Sequence, residues 1–219
     1  MTLLHQEVTK FREWISSVEY LNSETLNAED GCIYSEWWQL FEIILTFLTT
    51  SINDHWTDRE VDDILYVMSW DNECEDLADE IEENPDVLIK LANLALNSLE
   101  DDAKWQLADR LGNLSNEPAE SLLLKFVKDE DEYVRRRALI ALGRMNSPQA
   151  EALAEKSWET GEEYQRIAAL WVLKDISSSK LDAYLQKAIE DGRRIVITNA
   201  HQIQKLIKSE IEIENFRLG

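Results

Sequence analysis

The stretch that decides the fold is KDEDEYVRRRALIALGRMNSP, residues 128–148. Acidic residues begin it, and small and aliphatic residues at helical spacing follow before the proline. This order is typical of an amphipathic helix with a start signal and a stop signal. A catalytic motif occurs once in a chain, whereas a building unit recurs, so the rest of the sequence distinguishes the two.

Related segments stand at a nearly fixed distance on both sides of this stretch. DDAKWQLADRLGNLS lies 31 residues earlier, EEYQRIAALWVLKDIS lies 30 residues later, and GRRIVITNAHQIQKL is a fainter fourth copy. Each copy follows another helix with apolar periodicity, and two helices repeated at a period near 31 predict an α-solenoid. In the third copy, Tyr164, Ala168 and Val172 are aligned with Val134, Ala138 and Leu142.

Prolines and glycines mark the boundaries of the repeats. The three prolines, Pro85, Pro118 and Pro148, are predicted in the first turn of a leading helix, where no N–H is needed. The predicted hairpins cover residues 85–116, 117–147, 148–178 and 179–206, and a C-terminal tail covers 207–219. Gly161 and Gly192 are predicted between the two helices of a hairpin, and Gly112 and Gly143 after a second helix.

The unit resembles the HEAT-like repeat, in particular the short form found in phycobilisome-lyase-type proteins. The resemblance covers residues 85–206 and implies an all-α fold, an α-solenoid of about four HEAT-like helical hairpins. Because the motif is structural, the resemblance implies little about function. Its pattern, D-x-x-V-R-x-x-A-x-x-A-L-G, is formed by Asp131, Val134, Arg135, Ala138, Ala141, Leu142 and Gly143.

Residues 1–84 keep helical periodicity without the repeat signature. Thr57 followed by Glu60 is the pattern of a capping box, which predicts a helix start there. The terminal units of a solenoid differ from the others because one of their faces meets water. We therefore expect an acidic helical N-terminal cap, or degenerate first repeats, in front of the hairpins.

Charge is distributed unevenly between the two halves of the chain. Residues 1–102 contain 25 acidic side chains and four Lys or Arg, whereas residues 103–219 contain 19 acidic and 18 basic side chains. A negative field repels nucleic-acid phosphates and anionic membranes and attracts basic proteins. A basic protein partner is therefore expected, with no nucleic acid and no membrane. The alternative is that the acidity serves solubility.

The densest acidic stretch is residues 58–86, called here the acidic segment, with 13 acids and one Arg. Tryptophans lie before it and within it, and aromatic anchors beside charge suit the binding of a cationic protein. The candidate partner-binding residues are Trp37, Trp56, Asp62, Asp63, Trp70, Asp71, Glu73, Glu75, Asp76, Asp79, Glu80, Glu82 and Glu83.

Nothing in the sequence has the spacing of a catalytic or cofactor site. The three histidines are scattered, and the carboxylates of the acidic segment are interpreted as a solvated face, so no enzyme activity, metal or cofactor is expected. Cys32 and Cys74 are expected to be buried thiols of a cytoplasmic protein. The basic run Arg135–Arg137 is expected to pair with nearby acids.

The expected function is therefore protein binding. The most concrete form of this hypothesis is an immunity protein that neutralises a cationic toxin. A general assembly scaffold and a chromophore-lyase or phycobilisome-turnover protein are alternatives, and a HEAT-type nucleic-acid enzyme is the least favoured.

Overall fold

The computed structural model describes residues 2–21 and 34–218, which form α-helices and no strand. Four helices precede the repeats and eight form four hairpins. In chain order they are α1 Leu3–Leu21, α2 Trp37–Thr50, α3 Asp58–Trp70, α4 Asp76–Glu82, α5 Pro85–Ala95, α6 Asp101–Leu111, α7 Glu117–Phe126, α8 Glu132–Arg144, α9 Ala150–Glu159, α10 Glu163–Asp175, α11 Leu181–Glu190 and α12 Arg194–Leu218.

The hairpins stack through their second helices. Helices α6, α8, α10 and α12 pack on one another in chain order, and each first helix packs on the second helix of its own hairpin. Helix α3 packs on α6 and α1 packs on α3, so the same layer continues into the N-terminal part. The fold is an all-α solenoid of helical hairpins, as the repeated pattern predicts.

The period of the three best-defined hairpins is 31 residues. Helices α6, α8 and α10 begin at residues 101, 132 and 163. The turn after each of them contains one residue with a left-handed backbone, at φ 47°, 54° and 51° for Ser115, Asn146 and Ser177. The alignment of the third copy was therefore wrong by one residue. Tyr164 is exposed, and the buried equivalents of Val134, Ala138 and Leu142 are Gln165, Ala169 and Leu173.

Gly112 and Gly143 allow close contact between successive second helices. A Cβ atom on Gly112 would lie 2.7 Å from Cβ and 2.9 Å from Cα of Ala141 on α8. A Cβ atom on Gly143 would lie 3.0 Å from a methyl of Val172 on α10. Gly143 lies inside α8 rather than after it, which corrects the prediction, because its role is to admit the next helix and not to end its own.

Two further boundaries differ from the predictions. Pro148 lies in the turn before α9, which begins at Ala150, whereas Pro85 and Pro118 do occupy the first turns of α5 and α7. Residues 207–218 are not a separate tail, because α12 continues through them. The apolar pattern IVITNAHQIQKLI runs on without a Gly or Pro, so nothing in the chain ends the helix at 206.

The N-terminal part has its own buried aromatic cluster. Phe11 of α1 is fully buried and lies 5.2 Å from the Tyr34 ring and 5.8 Å from the Trp37 ring. The predicted capping box at Thr57 is confirmed, since its side chain accepts from the Glu60 N–H and the Glu60 carboxylate accepts from the Thr57 N–H. This cap fixes the start of α3 and thereby positions the acidic segment.

Candidate functional site

The acidic segment comprises α3, the loop 71–75, α4 and the beginning of α5. Helix α4 has seven residues and is held by its apolar face, since Leu77, Ala78 and Ile81 are buried. It packs against α2, α5 and α6. The acids of this segment therefore stand on a fixed element rather than on a free loop.

Two of the predicted aromatic anchors are buried, which corrects their assignment as partner-binding residues. Trp37 is 3% and Trp56 is 2% exposed. The Trp56 indole N–H donates to the Ser51 carbonyl at 2.9 Å, and the Lys90 ammonium lies 3.8 Å from its ring centre. Trp70 is half-buried. The sequence analysis missed Trp38, which is 65% exposed and stands edge-on to Phe41.

Asp63 and Asp71 are also buried and serve the structure of the N-terminal part. The Asp63 carboxylate lies 2.5 Å from Nδ1 of His5 and 3.5 Å from the Arg12 guanidinium, both on α1. Asp71 Oδ2 accepts from the Leu77 N–H at 2.7 Å and so caps the first turn of α4. Burial raises the pKa of Asp71 to about 6. Neither side chain is available to a docking protein.

Arg110 of α6 holds three of the predicted acids. Its guanidinium lies 2.7 Å from the carboxylates of Glu75 and Asp79 and 3.3 Å from that of Glu82. Asp109 is a fourth partner at 3.2 Å. Because the Arg110 side chain is only 11% exposed, this cluster joins α4 and its preceding loop firmly to the first hairpin.

The remaining acids form an open surface on α4. Glu73, Glu80 and Glu83 are exposed and Asp76 is half-buried. Residues 76, 80 and 83 share one face of the helix. None of these four carboxylates forms an ion pair within residues 2–17 and 34–210. We call Glu73, Asp76, Glu80 and Glu83 the α4 acidic surface. The remaining candidate, Asp62, is exposed on α3.

The basic residues of the repeats are engaged between neighbouring hairpins. Lys104, Arg135 and Arg166 occupy equivalent positions 31 residues apart, and each pairs with an acid in the loop of the following hairpin. The partners are Asp129 at 3.0 Å for Lys104, Glu162 at 3.4 Å for Arg135, and Asp191 for Arg166.

Arg136 and Arg137 are held by aromatic rings and acids on the same layer. Arg136 lies 4.5 Å and 4.7 Å from the ring centres of Tyr133 and Tyr164. Arg137 lies 3.2 Å from the Asp109 carboxylate and 5.0 Å from the Trp105 ring centre. These arginines thus have partners within the chain, which removes the reason for assigning them to phosphate binding.

Comparison with known proteins identifies the class of the chain. The family described as HEAT repeats matches residues 88–174 and 119–202, together more than half of the chain. The chain therefore belongs to the HEAT repeat family. No curated protein matches it. Among the described residues, no helix has both the length and the apolar character needed to cross a membrane.

Proposed function

We propose that the chain is a non-enzymatic protein-binding module that binds a basic partner through the α4 acidic surface. HEAT repeats generally mediate protein–protein interaction, and binding is the usual work of a solenoid. The observation that supports this site is the contrast within the acidic segment. Glu75, Asp79 and Glu82 are bound to Arg110, whereas the four acids of the α4 acidic surface have no basic partner among the described residues.

Unpaired acids on one helix face repel one another. Like charges four residues apart destabilise a helix by about 0.2–0.5 kcal/mol per pair. Basic side chains of a partner would relieve this repulsion between Asp76 and Glu80, which are four residues apart. Because α4 is already fixed by Arg110 and by its buried face, its backbone needs little ordering when the partner arrives. The surface is therefore suited to fast, salt-sensitive association.

Within this class, the most concrete function is that of an immunity protein of a toxin system. Toxic nucleases are commonly basic, because they bind phosphates. The acids of the α4 acidic surface would occupy the phosphate-binding groove of such a toxin and exclude its substrate. The concentration of negative charge in the first 102 residues supports this proposal.

The test compares two charge-reversed double variants. The test variant is Glu80→Lys with Glu83→Lys, and the matched control is Glu130→Lys with Glu159→Lys, two exposed acids of the hairpins. Each changes the net charge from −22 to −18, so any difference between them depends on location. Immobilised full chain, control and test variant are incubated with host lysate at low salt, and bound proteins are eluted with rising salt and identified.

We expect one basic protein to bind the wild-type chain and the control, to elute as salt rises, and to be lost from the test variant. Co-expression with the wild-type chain should then suppress the toxicity of that protein. Equal retention on the test variant and the control would contradict the α4 acidic surface as the site. Neutral partners that are insensitive to salt would indicate a general scaffold instead.

A further inference from the structure

The loop between α3 and α4 contains a buried carboxylate oxygen without a partner. Asp71 is 1% exposed, and while its Oδ2 accepts from Leu77, its Oδ1 has no hydrogen-bond partner in the part of the chain that the structure describes. The side-chain oxygen of Asn72 is in the same condition. A buried acceptor without a donor costs about 1–3 kcal/mol, and more when it is charged. Two such oxygens on adjacent residues make this loop a candidate binding site for a group that can satisfy them.

Two further side chains bring metal-binding atoms to the same loop. An oxygen of Asp71, the Sγ of Cys74 and an oxygen of Asp76 all lie within 4.8 Å of one another. In a tetrahedral site with ligand bonds of about 2.0–2.3 Å, ligand atoms lie roughly 3.5 Å apart. Cys74 is exposed and Asp76 is half-buried, so both side chains have room to adjust toward the buried Asp71 carboxylate.

The charge around this loop also favours a cation. The carboxylates of Asp76, Glu75 and Asp79 act on the buried Asp71 carboxylate with like charge. Arg110 pairs with Glu75 and Asp79. It forms no ion pair with Asp71. The loop also follows the C-terminal end of α3, which bears a partial negative charge. A bound cation reduces each of these unfavourable interactions.

We propose that Asp71, Cys74 and Asp76 bind one divalent transition-metal ion of the zinc type, with water as a further ligand. A thiolate in the ligand set selects zinc-like ions over calcium and magnesium, which prefer oxygen ligands alone. Coordination converts the Cys74 thiol to a thiolate, and its proton passes to the solvent. This ion pins the α3–α4 loop and engages Asp76, which leaves Glu73, Glu80 and Glu83 of the α4 acidic surface for a protein partner.

The experiment measures Zn²⁺ and Co²⁺ binding to the metal-free full chain and to three variants. Cys74→Ser and Asp76→Asn each remove a proposed ligand atom. Asp62→Asn is the matched control, because Asp62 is an exposed acid of the same segment outside the cluster. Circular dichroism establishes that each variant is folded, and calorimetry in two buffers of different ionisation enthalpy reports proton release.

We expect one Zn²⁺ per wild-type chain with release of at least one proton, and a thiolate-to-cobalt absorption band with Co²⁺. Cys74→Ser should abolish the band, and both ligand variants should weaken Zn²⁺ binding by at least the roughly 10–100-fold that is lost when a residue that only orients a ligand is replaced. Asp62→Asn should retain the band and the affinity. Absence of the band in the wild type, or equal Zn²⁺ affinity in all variants, would show only diffuse attraction of cations to acidic side chains and would overturn the proposal.

Discussion

Replacing Gly112 by Ala tests whether the contact between Gly112 and Ala141 sets how closely the second helices α6 and α8 pack against each other. Gly112 has φ −62°, which any residue adopts, so the substitution introduces no backbone strain. In a helix, Ala is favoured over Gly by about 1 kcal/mol. Opposing this, the new Cβ would approach Cβ and Cα of Ala141 to 2.7 and 2.9 Å, against ordinary carbon contacts of about 3.5–4.0 Å.

The backbone position of Ala141 cannot be relieved by a rotamer change, so α6 and α8 must move apart. Overpacking costs about 1–3 kcal/mol, and a clash with a backbone atom belongs in the upper part of that range, about 2–3 kcal/mol. The steric cost therefore outweighs the gain of about 1 kcal/mol in helix propensity. We expect Gly112→Ala to destabilise the protein by about 1–2 kcal/mol, which lowers Tm by about 2–8 °C at this chain length. Urea titration and differential scanning calorimetry measure the two quantities.

Two further variants show whether this reasoning is correct. Gly143→Ala meets only side-chain atoms of Val172 among its nearest contacts, two methyl groups at 3.0–3.1 Å and Cβ at 3.3 Å, so its effect should be smaller than that of Gly112→Ala. The double variant Gly112→Ala with Ala141→Gly should lose less free energy of unfolding than the two single variants lose together, because one of the two clashing methyl groups is removed. A neutral or stabilising Gly112→Ala, with no coupling to Ala141, would refute the proposed steric limit.

Three other perturbations have expected outcomes. Arg110→Gln should destabilise the protein by about 2 kcal/mol, which is less than the cost of breaking a fully buried pair because Asp79 is exposed. It should also weaken partner binding. Urea titration measures the stability and the capture assay measures the binding. Lys104→Met leaves the buried Asp129 carboxylate without its cation and should destabilise by about 3 kcal/mol, whereas the double change with Asp129→Leu should recover most of that loss. Hydrogen bonds from Arg193 and Arg166 hold the pKa of Asp191 well below its usual range, so this stabilisation is complete above the unfolded-state pKa of about 4 and is lost as pH falls further. The urea midpoint should therefore drop more steeply between pH 5 and pH 2 in the wild type than in Asp191→Asn.

The solenoid was predictable because its repeats are specified by local spacing. Apolar residues at helical intervals and the Leu-Gly pairs define the helices and their order along the chain. Because each helix pairs with the next one in sequence, that order also predicts the hairpins. The error of one residue in the third hairpin arose from treating the aromatic Tyr164 as a core position. In the structure Tyr164 stands on the outer side of α10 against Arg136, and the polar Gln165 is buried, with its amide bonded to Ser157 and Glu132. Helical phase alone does not reveal a buried glutamine.

The candidate site was less predictable, because its pairings join distant parts of the chain. The phase of α2 does separate Trp37, which shares a face with Leu40, Phe41 and Ile44, from Trp38, which lies about 100° further round the helix at the edge of that face. The bonds from Arg110 to Glu75 and Asp79 span 35 and 31 residues, and no local pattern specifies them. Glu75, which pairs with Arg110, has a left-handed backbone at φ 58°. The neighbouring Cys74 is exposed, so its prediction as a buried thiol was wrong, and Cys32 lies outside the described residues.

The two halves of the protein use acidic side chains in different ways. In the hairpins, a base at every 31st position meets an acid of the next loop, so charge contributes to the stacking of repeats. In the first 102 residues, 25 acids face four bases, and the repulsion among them must reduce stability. Added salt should therefore raise the free energy of unfolding of the wild-type chain. If part of that repulsion is centred on the α3–α4 loop, Zn²⁺ bound at Asp71 should make this increase with salt smaller. If salt instead destabilises the metal-free chain, the inter-repeat ion pairs outweigh the repulsion, and the excess acidity of the N-terminal part imposes no penalty that a ligand would relieve.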